Sequence, residues 1–193
     1  YFYLKIMTKK TLMVFPQGIG DFLYPLDQIL LRLEQSNERF HFDFIIQYKQ
    51  NEELIKSFVK NNTSKIYYTS KSILRNLKLI FSLIFKKYDY LIIDPNLNFS
   101  KSLFFSILIY SKYKIYKKSK LGSIFFSHQI GDKYLHLTKD RHKQMFEIAN
   151  ILENKVSVYN NEKFNLPNFI KKNTNKDKKE KIIGIIPGSG DLE

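Results

Sequence analysis

The chain predicts an α/β fold, a parallel sheet with helices on both faces, and three observations carry that expectation. Short apolar runs rich in β-favouring residues alternate with amphipathic stretches. The connections between successive runs have helical length, the pattern of parallel strands joined by crossovers. The first run, Thr11 to Phe15, ends in the glycine turn PQGIGD (Pro16 to Asp21) and leads directly into a helical pattern. Open α/β sheets place ligands at such a turn, at the carboxyl end of a strand.

The elements follow in order. Phe22 to Gln35 repeats Leu23, Leu26, Leu30 and Leu33 at helical spacing, and His41 to Gln47 suits a second strand. Asn51 to Asn61 reads as a short helix, and Ser64 to Ser70, bounded by polar residues, as a third strand. From Ser70, a residue type that caps helices, a long amphipathic helix places Ile73, Leu77, Ile80 and Ile84 on one face, with lysines at its end. Tyr88 to Asn96 is the clearest buried strand. Its Asp94-Pro95 ending marks a turn on the same sheet edge as PQGIGD if the strands are parallel. A helix over Lys101 to Leu108 leads to a fifth strand, Tyr113 to Lys117. Ser123 to Asp140 fits neither period, whereas Arg141 to Asn154 is helical, with Met145, Ile148, Ile151 and Leu152 along one side.

Domain boundaries come from a shift in composition. Residues 7–153 form the expected domain, 154–181 a polar linker rich in Asn and Lys, and 182–193 the first strand and turn of a second domain. Met7 followed by Thr8, Lys9 and Lys10 resembles a natural start, so residues 1–6 are expected to be an upstream extension. The strand and glycine turn at the other end suggest a truncated second domain.

With 193 residues, 44% of them apolar, the chain can bury a full core. The absence of cysteine excludes disulfides and thiolate metal sites, and His41, His128, His136 and His142 make no metal-binding spacing, so no metal is expected. A net charge of +14 points to an anionic partner: nucleic acid, a membrane face or a phosphorylated substrate. Abundant Lys, Asn, Ile, Tyr and Phe beside scarce Ala and Gly is also what AT-rich coding produces without any partner. The basic residues are scattered, with no basic recognition helix, which disfavours nucleic acid. Leu77 to Phe85 and Leu103 to Tyr110 are too short to span a bilayer, and YFYLKI lacks the order of a signal peptide. A cytoplasmic location is the resulting expectation.

The turn itself is chemically distinctive. A dinucleotide fingerprint would need glycine at position 23, where the chain has Leu23. Gly18 and Gly20 shape the turn, and Asp21 closes it as a fixed carboxylate that either caps the first helix or meets a ligand. Pro25 bears on the choice, because a helix starting at this proline would leave Asp21 in the loop.

Four landmarks in this order resemble the ADP-heptose:lipopolysaccharide heptosyltransferase family. They are GIGDFLYPL, a GD turn followed by a helix with an early proline; the strand YDYLIID; the segment HLTKDRHKQMFEIANIL, with a histidine and an acidic-Arg pair before an apolar helix; and the PG-containing strand end IIGIIPGSG. The resemblance covers most of residues 7 to 190, although each landmark is short. It implies the N-terminal half of a two-domain, GT-B type glycosyltransferase whose Rossmann-like domains face a cleft. The family's donor domain would begin at IIGIIPGSG, and the lysine that usually follows its PG turn is missing here. This stretch of chain alone is therefore expected to be inactive.

By the same resemblance, Asp21 is the general base that activates an acceptor hydroxyl, with Gly18, Gly20, Asp94 and Arg141 on the substrate side and Gly188, Ser189 and Gly190 on the donor phosphates. The implied donor is a nucleotide sugar, ADP-heptose or a relative, with no metal or other cofactor required. The implied acceptor is an anionic glycolipid of the lipopolysaccharide core, met by peripheral contact at the cytoplasmic face of the inner membrane. The alternative, from a different class, is a basic α/β binding module for anionic membrane or nucleic acid. Asp94-Pro95 alone reads as a turn, and Arg141 alone as a solvated residue at a helix start.

Overall fold

The computed structural model describes residues 8–18, 22, 25–31, 33, 40–58, 64–131 and 141–153. Six strands form one sheet: β1 (Lys9–Val14), β2 (Phe40–Ile46), β3 (Ile66–Tyr68), β4 (Tyr88–Ile93), β5 (Ser111–Lys117) and β6 (His128–Ile130). Every pairing is parallel, and the spatial order is β3-β2-β1-β4-β5-β6. This is the doubly wound Rossmann order, whose direction reverses between β1 and β4. The helices are α1 (Leu26–Leu31, a π-helical turn), α2 (Gln50–Phe58), α3 (Ile73–Ile84), α4 (Phe99–Leu108), α5 (Gly122–Phe125) and α6 (Arg141–Glu153).

Successive strand residues point to opposite faces, so a strand covered on both sides is a nearly continuous apolar run. Thr11, Leu12, Met13, Val14 and Phe15 are accordingly all fully buried. Leu12 and Val14 join Ile45, Leu91, Ile93, Ile80, Leu83 and Phe105 in a core under α3, α4 and α5. Met13 and Phe15 join Phe42, Phe44, Ile92, Leu30, Ile55, Met145 and Ile148 in a second core under α1, α2 and α6. Within it, aromatic rings run across the strands: Phe40 stacks on Phe42, Phe40 meets Tyr90, and Tyr90 stacks on Tyr113 at 5.2 Å.

Several sequence expectations shift in detail. The helix after Ser70 begins at Ile73, and its N-cap residue is Ser72. Ser70 is held outside it, because its Oγ accepts the Ser72 N–H and Asn76 brackets its backbone with two hydrogen bonds. The buried side of α3 carries Asn76, Leu79, Ile80 and Leu83, while Leu77 is 40% exposed. The helix is apolar on more than one side, so periodicity alone could not pick the face. The ambiguous segment after Ser123 resolves into α5 and β6, each too short for a period to register. Gly131 ends β6 at φ 89°, a left-handed conformation that glycine adopts without steric cost. At the first helix, Phe22 is already helical, as is Pro25, so the helical backbone does not wait for the proline. Proline is tolerated there because the first N–H groups of a helix have no intrahelical acceptor. The linker 154–181 and the segment 182–193 lie outside the described residues.

One carboxylate sits inside the sheet. Asp43 of β2 is 3% exposed, and it accepts hydrogen bonds from the Lys65 N–H at 3.0 Å and the Tyr88 hydroxyl at 2.8 Å, with His41 Nε2 at 3.3 Å. Burial, then the bond to Asp43, pushes the Tyr88 phenol well up, so it stays a neutral donor. The Tyr88→Phe variant should lose about 1.5–3 kcal/mol of stability, the typical worth of a hydrogen bond to a charged group. Urea denaturation of both proteins measures the difference.

Candidate functional site

The chain leaves β1 toward the α1 side of the sheet and leaves β4 toward the α4 side, which opens a crevice between their carboxyl ends. From β1 come Pro16, Gln17 and Gly18. The Asn51 Nδ2 of α2 donates to the Gln17 carbonyl at 3.0 Å, and the Gly18 carbonyl accepts the Phe22 N–H at 3.1 Å. Asn51 is fully buried and thereby anchors the turn to the helix beside it. A Cβ added at Gly18 would meet nothing within 4 Å, so the glycine leaves open space there. Gly20 and Asp21 lie outside the described residues.

From β4 comes Asp94, whose N–H donates to the Val14 carbonyl at 3.0 Å and so extends the ladder to the last residue of β1. Its side chain is fully buried. Oδ1 accepts the Asn96 N–H at 2.8 Å and Arg141 Nη1 at 2.5 Å, while Oδ2 accepts Arg141 Nη2 at 3.2 Å. The Arg141 side chain is itself only 9% exposed. Two residues 47 apart in sequence thus form a bidentate charged pair at the switch point. The buried turn continues through Leu97, whose N–H returns to the Asp94 carbonyl and whose own carbonyl accepts the Tyr116 hydroxyl at 2.5 Å. Burial pushes the Tyr116 phenol up, so it too remains a donor.

A cleft of about 560 Å³ lies on the α3–α4 side of the same sheet edge, and neither Asp94 nor Arg141 lines it. Pro16 and Gln47 from the ends of β1 and β2, Thr69, Ser70 and Lys71 after β3, Asn76 of α3, and Ser100 and Lys101 from the first turn of α4 supply its polar wall. Leu79, Ile80, Leu97, Phe104 and Phe105 form the apolar part. Such a mixture suits a polar, anionic ligand with an apolar portion.

Gly18, Asp94 and Arg141 therefore share one sheet edge, and the structure adds Asn51, Lys71 and Lys101, which sequence reasoning had not singled out. Lys71 and Lys101 could have been found from their places, just beyond β3 and near the start of the helix after β4, on the edge where ligand turns gather. Asn51 carried no such signal, since it looked like any polar residue opening a helix. Gly188, Ser189 and Gly190 lie outside the described residues.

The class defined by this fold is a Rossmann-like α/β domain with a cleft at the carboxyl edge of its sheet. No family model matches the chain, and no curated protein does. Among solved structures it is similar to E. coli heptosyltransferase WaaC with ADP, at a TM-score of 0.55 and 14% identity, over 78% of this chain and 49% of that one. It is likewise similar to E. coli heptosyltransferase WaaC with ADP-2-deoxy-2-fluoro heptose, at a TM-score of 0.52 and 14% identity, over 78% of this chain and 50% of that one. At this identity the likeness is one of fold. The chain spans about half the length of the heptosyltransferase chains it matches.

Removing one partner of a buried ion pair strands the other charge, whereas replacing both with apolar groups is far milder. Arg141→Met should cost about 3–5 kcal/mol by denaturant unfolding, and the double variant Asp94→Leu/Arg141→Met should recover much of that loss.

Proposed function

We propose that this chain is the acceptor-side half of a glycosyltransferase, one that moves heptose or a similar sugar from a nucleotide-sugar donor to an anionic surface-glycan acceptor. The observation that carries the reading is the likeness, over 78% of the chain, to a heptosyltransferase solved with ADP and with an ADP-heptose analogue. Three of the family landmarks stand in this chain around the turn after β1, at β4 and at the start of α6, and the fourth lies outside the described residues.

In this reading the acceptor lies along the carboxyl edge of the sheet. The ammonium groups of Lys71 and Lys101 at the cleft would attract its phosphate or carboxylate groups. Asp94 and Arg141 act together. Each neutralises the other, and by joining the β4 turn to the first residue of α6 they hold the rim of the acceptor site in one geometry. Gly18 and Gly20 let the acceptor approach the main chain, beside which Asp21 acts as general base. Its carboxylate takes the proton of the acceptor hydroxyl while that oxygen forms a bond to the anomeric carbon. The bond from that carbon to the donor's phosphate oxygen breaks, the nucleoside diphosphate leaves with the electron pair, and attack from the opposite side inverts the centre. Gly188, Ser189 and Gly190 would present backbone N–H groups to the donor phosphates, and no metal is needed for the general-base step. Because the acceptor is lipid-linked, the protein would work at the cytoplasmic surface of a membrane, and no helix among the described residues is long and apolar enough to cross one.

The test uses the protein with its complete donor half. Asp21→Asn should lower sugar transfer by about 10²-fold or more while leaving thermal unfolding nearly unchanged. Near-normal turnover in a folded Asp21→Asn protein would remove the general-base assignment.

A further inference from the structure

We propose that the outer face of α3, α4 and α5 is the surface by which this protein docks on an anionic lipid bilayer. The inference rests on the membrane-surface part of the proposed function, but not on its transfer chemistry.

The two helical layers differ in what they expose. Among the described residues, nine of the eleven exposed large apolar side chains lie on or beside α3, α4 and α5; the other two are Tyr48 and Tyr68. Leu74, Leu77, Phe81 and Phe85 follow one another at intervals of three, four and four residues, which makes a stripe along α3 opposite its buried side. Phe81 is 63% exposed and Phe85 87% exposed, while Ile107 of α4 and Ile124 of α5 stand at 61% and 72%. The helix thus buries one apolar side against the sheet and offers another to its surroundings.

Charge identifies what covers this face. The charged residues of α3, α4 and α5 themselves are all basic, Arg75 and Lys78 on α3 and Lys101 on α4, with no acidic residue among them. Arg75, Lys78 and Lys87 are exposed along or just beyond α3. A second copy of the same face would bring like charges together around its apolar stripe. A polyanion such as RNA would engage the cations and leave the stripe bare. An anionic bilayer satisfies both parts, taking the apolar side chains below its headgroups and the cations at headgroup level. The cleft lies between this helical layer and the sheet edge: Leu79 and Ile80 line it from the buried side of α3, and Phe104 of α4, which also lines it, is 42% exposed.

Sedimentation of the protein with its complete donor half, with phosphatidylglycerol-containing vesicles and with pure phosphatidylcholine vesicles, tests this. Binding is expected to the anionic vesicles only and to weaken with added salt. Phe81→Ser/Ile107→Ser and, separately, Arg75→Gln/Lys78→Gln should each reduce it about tenfold or more, with thermal unfolding unchanged. Lys56→Gln, on α2 across the sheet, should leave binding as it is. Absence of binding to anionic vesicles overturns the proposal, as does binding that the Phe81/Ile107 substitutions leave intact. Self-association that these same substitutions abolish, with no vesicle binding, assigns the face to a second copy instead. Any of these results leaves the Asp21→Asn transfer experiment unaffected, so the docking surface and the catalytic reading fail separately.

Discussion

The carboxylate of Asp94 and the guanidinium of Arg141 are the interaction on which the arrangement of this sheet edge depends. Neither charge could be tolerated alone at its depth, since taking an ion out of water costs several kcal/mol unless a partner and further hydrogen bonds offset it. Here the offset is complete for the carboxylate: two guanidinium nitrogens and the Asn96 N–H all converge on it. The pair joins the carboxyl end of β4 to the first turn of α6, and the Asp94 N–H in turn reaches β1. Three elements far apart in sequence are thereby registered at the point where the sheet reverses direction.

Around that point the two cores have different characters. The side under α1, α2 and α6 is dense in phenylalanine, and no exposed large apolar side chain is found on these helices among the described residues. The side under α3, α4 and α5 is equally well buried within, yet carries apolar and basic side chains outside. The strands between them are apolar on both faces, so the sheet itself gives no reason for the difference. The outer surfaces were free to diverge, and among the described residues the exposed apolar side chains gather on one of them.

The fold was legible where residues repeat over many positions. β1, β2, β4 and β5 and helices α3, α4 and α6 stand close to where their apolar periods put them, because runs buried on both faces and amphipathic helices leave strong signals. The end of β1 before Pro16 was legible through its apolar run, whereas Gly20 and Asp21 of the following turn lie outside the described residues. Legibility failed where an element is short, as at α5 and β6, or where polar and apolar cues compete, as at Ser70, whose hydroxyl caps a turn before the helix. In the candidate site, Asp94 and Arg141 were each visible as residue types. That they meet was not, since nothing in local spacing relates positions 94 and 141. Read singly, Asp94 was a turn signal and Arg141 a solvated cation.

By itself, then, the sequence determined the alternation of strand and helix, the parallel α/β class, the glycine turn in place of a dinucleotide fingerprint and the chain's large positive charge. These are local or additive properties, written in periods of two and about three and a half residues and in simple composition. Tertiary structure alone decided the strand order, the pairing of Asp94 with Arg141, the cleft flanked by Lys71 and Lys101, and which side of α3 faces the core. Each of these depends on which strands become neighbours, and an all-apolar strand or a two-sided apolar helix does not encode its neighbour locally. Packing across the sheet makes that choice.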